Sequence, residues 1–214
     1  MVGRVARAVF APALWALSAL LLPAWAQQIT RADFGAHEAS PDARLVAERV
    51  VSSADHGGRP FAIVDKRDAR IYVFDALGHL SGASPALLGQ ASGDDSAPDV
   101  GAHTEAGSVP FHERTTPSGR FVSVPGLNLD GDHVVWIDYA RALAIHRLRP
   151  GAGQMRREAL LASATPLDNR ASLGCVVVPA AFYDEVVRPL LGRGRGVVYV
   201  LPEERPARAM FDAL

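Results

Sequence analysis

A strand-rich fold with a few peripheral helices is predicted by three observations. Gly 19 and Pro 15 in 214 residues mark many turns. The apolar residues fall in short runs of four or five, the length of a strand rather than a helix. Helical spacing is confined to three short stretches. Composition sets the outer limits. With 49% hydrophobic residues, 21% charged residues and a net charge of −1, the chain has material for one real core and is not a disordered tract. Balanced charge gives no nucleic-acid footprint, so no nucleic-acid partner is expected. Lys66 is the only lysine among 22 basic residues, which reads as a compositional habit without functional weight.

The first 26 residues read as a cleaved signal peptide. Arg4 and Arg7 precede the uncharged stretch Ala8 to Leu22, and Pro23-Ala24-Trp25-Ala26 supplies small residues for cleavage after Ala26. No later run is long and apolar enough to cross a bilayer, so a periplasmic or secreted protein with no span after cleavage is expected. Residues 27–58 form a polar leader followed by a helix. Ser40-Pro41-Asp42 opens that helix, Leu45, Val46 and Val50 share one side, and Asp55-His56-Gly57-Gly58 ends it.

The period then changes. Phe61 to Asp65 and Arg70 to Phe74 read as two strands across the turn Lys66-Arg67-Asp68-Ala69, with a third strand near Pro85–Gly89. Residues 92–119 read as a long polar loop, a length that in compact domains usually carries function. Strands follow at Arg120 to Val124, His133 to Tyr139 and Ala142 to His146. Met155 to Ser163 reads as a short helix and 165–170 as a loop. Cys175 to Val178 is a short apolar strand stopped by Pro179. Ala180 to Leu191 is an amphipathic helix with Phe182, Val186 and Leu190 on its apolar side, and Val197 to Leu201 is the last strand. One strand-rich domain is expected over 59–202, with 203–214 a tail.

One cysteine excludes an internal disulfide and any multi-cysteine metal site. In an exported chain a lone thiol is either an inert core residue or a reactive group. Cys175 stands at the end of a polar loop, after Gly174, where an apolar strand begins. Glycine lets a substrate carbonyl approach the backbone, and consecutive N–H groups there can face its oxygen. A thiol nucleophile needs a base, usually histidine. His146 ends a strand of its own, and His133 in the adjacent strand competes for that role.

With that segment in view, Ser172-Leu173-Gly174-Cys175 resembles the signature of the L,D-transpeptidase catalytic domain (YkuD-type). In that family the signature runs Ser/Thr-His-Gly-Cys, then an aliphatic residue, then Arg or Asn. Thr116-Pro117-Ser118-Gly119-Arg120-Phe121 is similar to the family's Thr-Pro-x-Gly-x-Phe strand start, and Ala144-Ile145-His146 to its Ile-His element. Ile63-Val64-Asp65 with Arg70 to Phe74 resembles the opening hairpin. The likeness covers about 60–202. Leu173 and Val177 depart from it, standing where His and Arg or Asn are usual. The 29 positions between His146 and Cys175 add an insertion over about 148–163.

The resemblance implies a β-sandwich-like fold and acyl transfer on peptidoglycan stem peptides, with no cofactor and no metal. Cys175 would be the nucleophile and His146 the base. Gly174 would form part of the oxyanion site, and Ser172 would orient the histidine or the loop. Two alternatives stand beside it: a wall-binding module that lost the chemistry, and an L,D-carboxypeptidase using the same site. A lowered thiol pKa would favour the enzyme. His103, His112, His133 and His146 match no compact zinc spacing. Asp94-Asp95 and Asp99 read as a solvated acidic turn rather than a calcium loop. Arg156-Arg157 and Arg193 with Arg195 read as surface charges, one or two of which have the chemistry to grip a substrate carboxylate.

Overall fold

The computed structural model describes residues 31–214 together with Gly3. The expected signal peptide therefore lies outside the described residues. The architecture is mostly β, as expected: ten strands and a few short helices. Eight strands form one mixed sheet in the order β3-β2-β1-β10-β5-β6-β7-β9, and β4 and β8 form a separate parallel pair. Their ranges are β1 Phe61–Asp65, β2 Arg70–Phe74, β3 Leu80–Pro85, β4 Leu88–Gly89, β5 Gly119–Leu127, β6 His133–Asp138, β7 Leu143–Arg147, β8 Arg170–Ser172, β9 Val176–Val178 and β10 Gly196–Val200.

The sheet folds over at β5. Gly119 to Ser123 pair with β10, whereas Val124 to Leu127 pair with β6. Pro125 sits just past the changeover, where the ladder passes from one partner to the other. The two halves face each other across a core. Ala62, Val64, Ile71 and Val198 come from one side, and Val135, Ile145, Val176 and Val178 from the other. The helical segment 180–190 packs Tyr183, Val187 and Leu191 into the same core.

The first half (β3, β2, β1, β10) is covered on its other face too. Helix α1 (Pro41–Ser52) begins at Ser40, whose hydroxyl accepts from the Ala43 N–H at 3.0 Å, with Pro41 at the first helical position. Such a cap is typically worth about 1 kcal/mol. The buried stripe is Ala43, Val46, Ala47 and Val50, so Leu45 falls to the flank. Phe34 and the C-terminal helix join it over Phe61, Tyr72, Phe74 and Tyr199. Every residue of β1 and of β10 is buried in consequence.

Several expectations need correction. The third strand is Leu80–Pro85, an edge strand of small polar residues whose pairing comes from the hairpin with β2. The apolar run after it is carried away to pair with β8. The polar stretch 92–119 contains α2 (Val100–Glu105), and the insertion helix α3 runs Gln154–Leu161. In segment 180–190, α4 (Ala180–Phe182) and α5 (Arg188–Leu190) flank a π-type turn at Tyr183–Val187. Pro189 lacks an N–H and crowds the carbonyl four residues back, and a π turn absorbs that mismatch. Phe182, Val186 and Leu190 pack against the core as expected but only partly buried, and the adjoining Tyr183, Val187 and Leu191 are the fully buried row. Residues 203–214 are not a loose tail: α6 (Ala207–Phe211) buries Ala207 and Phe211 beside α1. No described helix is long and apolar enough to cross a membrane.

Candidate active site

Strand alternation decides which side chains meet. In β7, Ile145 faces the core, so Ala144 and His146 point to the opposite, outer face of the second half-sheet. β9 runs parallel to β7 with Ile145 opposite Val176 and His146 opposite Val177. Val176 and Val178 are core residues, which places Cys175 and Val177 outward beside Ala144 and His146. Strand rise and spacing set Cys175 and His146 about 8 Å apart at Cα on one face. Both line the same two recesses, of ≈ 260 Å³ and ≈ 280 Å³. Cys175 is a free thiol and half-buried.

The alternation also separates the two histidines. His133 shares the inner face with Val135 and Ile137, and its ring nitrogens contact the Tyr183 hydroxyl at 2.8 Å and the Gly192 carbonyl at 3.2 Å. It is tied to the helical segment and faces away from the thiol. His103 is tied to Glu113 at 2.6 Å. Among the described residues no three His, Cys, Asp or Glu side chains gather into a metal-binding group.

His146 donates from Nδ1 to the Arg147 carbonyl at 2.9 Å, which leaves Nε2 as the lone-pair nitrogen. Burial lowers its pKa to about 4, with the Arg149 and Arg157 charges pulling the same way against the Arg147 hydrogen bond. Burial pushes the Cys175 thiol up, opposed by a backbone hydrogen bond at Ala144 and the Arg149 charge. Sγ donates to the Ala142 carbonyl at 3.4 Å. The resting pair is thus a neutral imidazole and a protonated thiol, not the preformed thiolate that a lowered thiol pKa would mark. An imidazole in this state can still take the proton as sulfur attacks.

Three residues of the signature hold the loop. The Ser172 hydroxyl accepts from the Gly174 N–H at 3.1 Å and donates to the Cys175 carbonyl at 2.6 Å, so its contacts are with the loop rather than the histidine. The Gly174 N–H is thereby engaged within the turn. Gly174 has φ 136, and a Cβ there would stand 3.0 Å from the Thr115 carbonyl oxygen. Only glycine adopts this backbone without strain. Leu173, about half exposed, forms part of the rim.

Sequence reasoning missed what lies beneath. Thr116, fully buried, donates to the Gly174 carbonyl at 2.7 Å and accepts from the Gly89 N–H at 2.9 Å. Its own carbonyl accepts from Lys66 Nζ at 3.0 Å. Lys66 is buried and paired with Asp94 at 2.9 Å and Glu203 at 3.5 Å. Glu203 also pairs with Arg170, two residues before Ser172. Asp94 is therefore not part of a solvated turn. Burial opposes its ionisation, but Lys66 and the N–H groups of Glu203 and Arg205 more than offset this and hold it well below the usual carboxylate range. The signal was available: the sole lysine, in a chain that otherwise uses arginine, stood in a hairpin turn.

On the other side of the thiol, Trp136 stands opposite Ala144 and lies over Gly126, where any Cβ would meet the indole at 2.7 Å. Tyr139 packs edge-on against it at 5.0 Å. Small residues beneath and beside this aromatic wall keep the second recess open.

No family model matches the sequence, and no curated protein does. The solved structures that match are mostly L,D-transpeptidases. One from Mycobacterium smegmatis is 15% identical, with 66% of this chain and 58% of that one covered and a TM-score of 0.37. A helical cell shape determining protein from Campylobacter jejuni is 14% identical over 69% and 49% of the two chains, TM-score 0.42. A fused Zn-dependent amidase/peptidase and peptidoglycan-binding-domain protein from Clostridium acetobutylicum is 16% identical over 66% and 51%, TM-score 0.33. The chain spans about half the length of these structures. At such values the roles of Cys175 and His146 rest on their own geometry.

Proposed function

We propose that this protein is an exported cysteine acyltransferase that carries out L,D-transpeptidation on peptidoglycan stem peptides. The observation that supports the reading is that Cys175 and His146 both line the same two recesses on the outer side of β7. The ordered motifs resembling the L,D-transpeptidase domain supply the substrate class.

In this reading His146 Nε2 takes the thiol proton as Sγ attacks the carbonyl that joins a diamino acid to D-alanine. The tetrahedral oxyanion is met by the Cys175 N–H rather than by that of Gly174, which Ser172 engages, and a well-aimed donor is worth about 3 kcal/mol. Collapse breaks the C–N bond, the imidazolium returns its proton to the leaving amine, and D-alanine departs from a Cys175 thioester. An acceptor amine then attacks, gives its proton to His146 and expels the sulfur, which is reprotonated. Water as acceptor would make the same site a carboxypeptidase. Ser172 positions the loop. Residues 1–26 direct export to the periplasm or beyond, and 59–202 hold the chemistry.

The test is mass spectrometry of a disaccharide tetrapeptide incubated with the purified protein. D-alanine release with a cross-linked product is expected, abolished by Cys175→Ala with an unchanged melting curve. A carbapenem should add its mass at Cys175. An alanine variant as active as wild type overturns the reading. Binding to sacculi with neither turnover nor adduct would identify a wall-binding module instead.

A further inference from the structure

Three guanidinium groups border the recesses around Cys175 and His146, and they are not equivalent. Arg141 is ion-paired with Asp138. Arg149 is paired with Asp130 at 2.8 Å and Asp132 at 3.2 Å. Arg157 has no carboxylate within ion-pairing distance among the described residues. Its Nη2 makes two long contacts, to the carbonyls of Arg149 at 3.4 Å and Ala152 at 3.5 Å. Its Nε is buried with no hydrogen-bond partner, as is that of Arg149, but Arg149 Nε has the Asp132 carboxylate at 3.2 Å and Arg157 has none.

The ≈ 260 Å³ recess that Arg157 shares with Cys175 and His146 has no aspartate or glutamate in its wall. A half-buried cation without a counter-ion is costly to keep. Planar guanidinium is also the group best shaped to hold a carboxylate by two parallel hydrogen bonds. Arg157 belongs to α3, in the insertion between His146 and Cys175. Val177, standing where the resembling family has Arg or Asn, lines the same recess.

We propose that Arg157 binds a carboxylate of the acyl donor in this recess and so makes the site selective for anionic donors. The identity of the donor rests on the acyl-transfer reading; the anion site itself does not. Two carboxylates qualify: that of the leaving residue, and one on the side chain of the diamino acid. The field of an unpaired cation in the recess that Cys175 lines also favours any small anionic electrophile over its neutral counterpart.

The first test therefore needs no turnover. Alkylation of Cys175 by iodoacetate and by iodoacetamide is timed in wild type, Arg157→Gln, Arg157→Met, Arg157→Lys and, as a control, the exposed neighbour Arg156→Gln. The iodoacetate-to-iodoacetamide rate ratio should fall about five- to tenfold in the Gln and Met variants and hold in the Lys and control variants. The two neutral variants guard against a folding failure in either, with melting curves as the check. An unchanged ratio in a folded neutral variant overturns the proposal.

The second test uses the tetrapeptide donor. Arg157→Gln should raise KM about tenfold or more with little change in kcat, the pattern of a lost binding contact. Amidating the carboxylate that Arg157 holds should cost wild type a similar factor and the variant nothing. Whichever of the two amidated donors shows this identifies the carboxylate, and if neither does, the proposal fails. If wild type turns over no donor at all, acyl transfer falls while the alkylation ratio still decides the anion site.

Discussion

The two halves of the folded sheet share one core but are finished differently. The half built from β1, β2, β3 and β10 is covered on both faces, by the core within and by α1, α6 and Phe34 without. The half built from β6, β7 and β9 buries its inner face fully and its outer face only in part, where Val177 packs against Leu87, Leu148 and Leu161. On its outer face Ala144, His146 and Cys175 line the recesses. The covered half gains stability from the apolar area it removes from water, about 25 cal/mol per Å². The open half leaves part of its outer face uncovered, and there Cys175, His146 and Arg157 line one recess. Between them runs the Lys66-Asp94-Glu203 network, with Thr116 transmitting its position to Gly174.

If chemistry belongs to the open half alone, His146→Gln should lower donor turnover by about 10²- to 10⁴-fold while leaving the folded state at pH 8 intact. Steady-state rates beside melting curves decide this. The same variant carries a pH signature. His146 titrates at about 4 in the folded protein, below its ordinary value of 6.5. As pH falls, the unfolded chain therefore takes up the proton first. The stabilisation due to neutral His146 is complete above 6.5 and declines between 6.5 and about 4. Urea midpoints measured across that window should show a shallower decline in His146→Gln than in wild type.

The junction between the halves should respond in the opposite way. Lys66→Met leaves Asp94 and Glu203 without their buried cation and should cost about 3 to 5 kcal/mol, read from urea unfolding. A loss under 1 kcal/mol would show that the network does not brace the molecule. Gly174→Ala should cost about 1 to 3 kcal/mol from strain at positive φ. It should also slow Cys175 alkylation, because the Thr115 carbonyl stands 3.0 Å from the new Cβ. The smallest effect is expected at the rim. Leu173→Ala should move stability by about 0.5 kcal/mol or less, and any change should appear in KM for the donor. A large stability loss there would mean that the open half is less exposed than its surface indicates.

Much of the covered half was legible. β1, β2 and β10 announce themselves as runs of Val, Ile, Phe and Tyr, and Ser40-Pro41-Asp42 marks the start of α1. The edge strand Leu80–Pro85 was not, because Ser-Gly-Ala-Ser has no apolar period and is ordered only by pairing with β2. β8 is three residues long and pairs with a strand more than eighty positions earlier. The buried row Tyr183-Val187-Leu191 was not read, because it runs beside the equally spaced Phe182-Val186-Leu190 and only packing separates the two. At the site, the Cys175 segment and His146 stood out by residue type. Asp94, Glu203, Trp136 and Arg157 did not, because single charged or aromatic residues carry no local pattern, and Lys66 was marked only as the sole lysine.

Residue identity and local period determined that this chain builds a strand-rich domain with one thiol, and which strands end at that thiol and at His146. Only the tertiary structure decided that β7 and β9 lie side by side in a register that turns both groups to one face. It also decided that His133 faces the other way and that Arg157 is left without a counter-ion. The physical reason is that period is a property of neighbours along the chain, whereas strand register and charge pairing are settled between segments that meet only when the sheet closes.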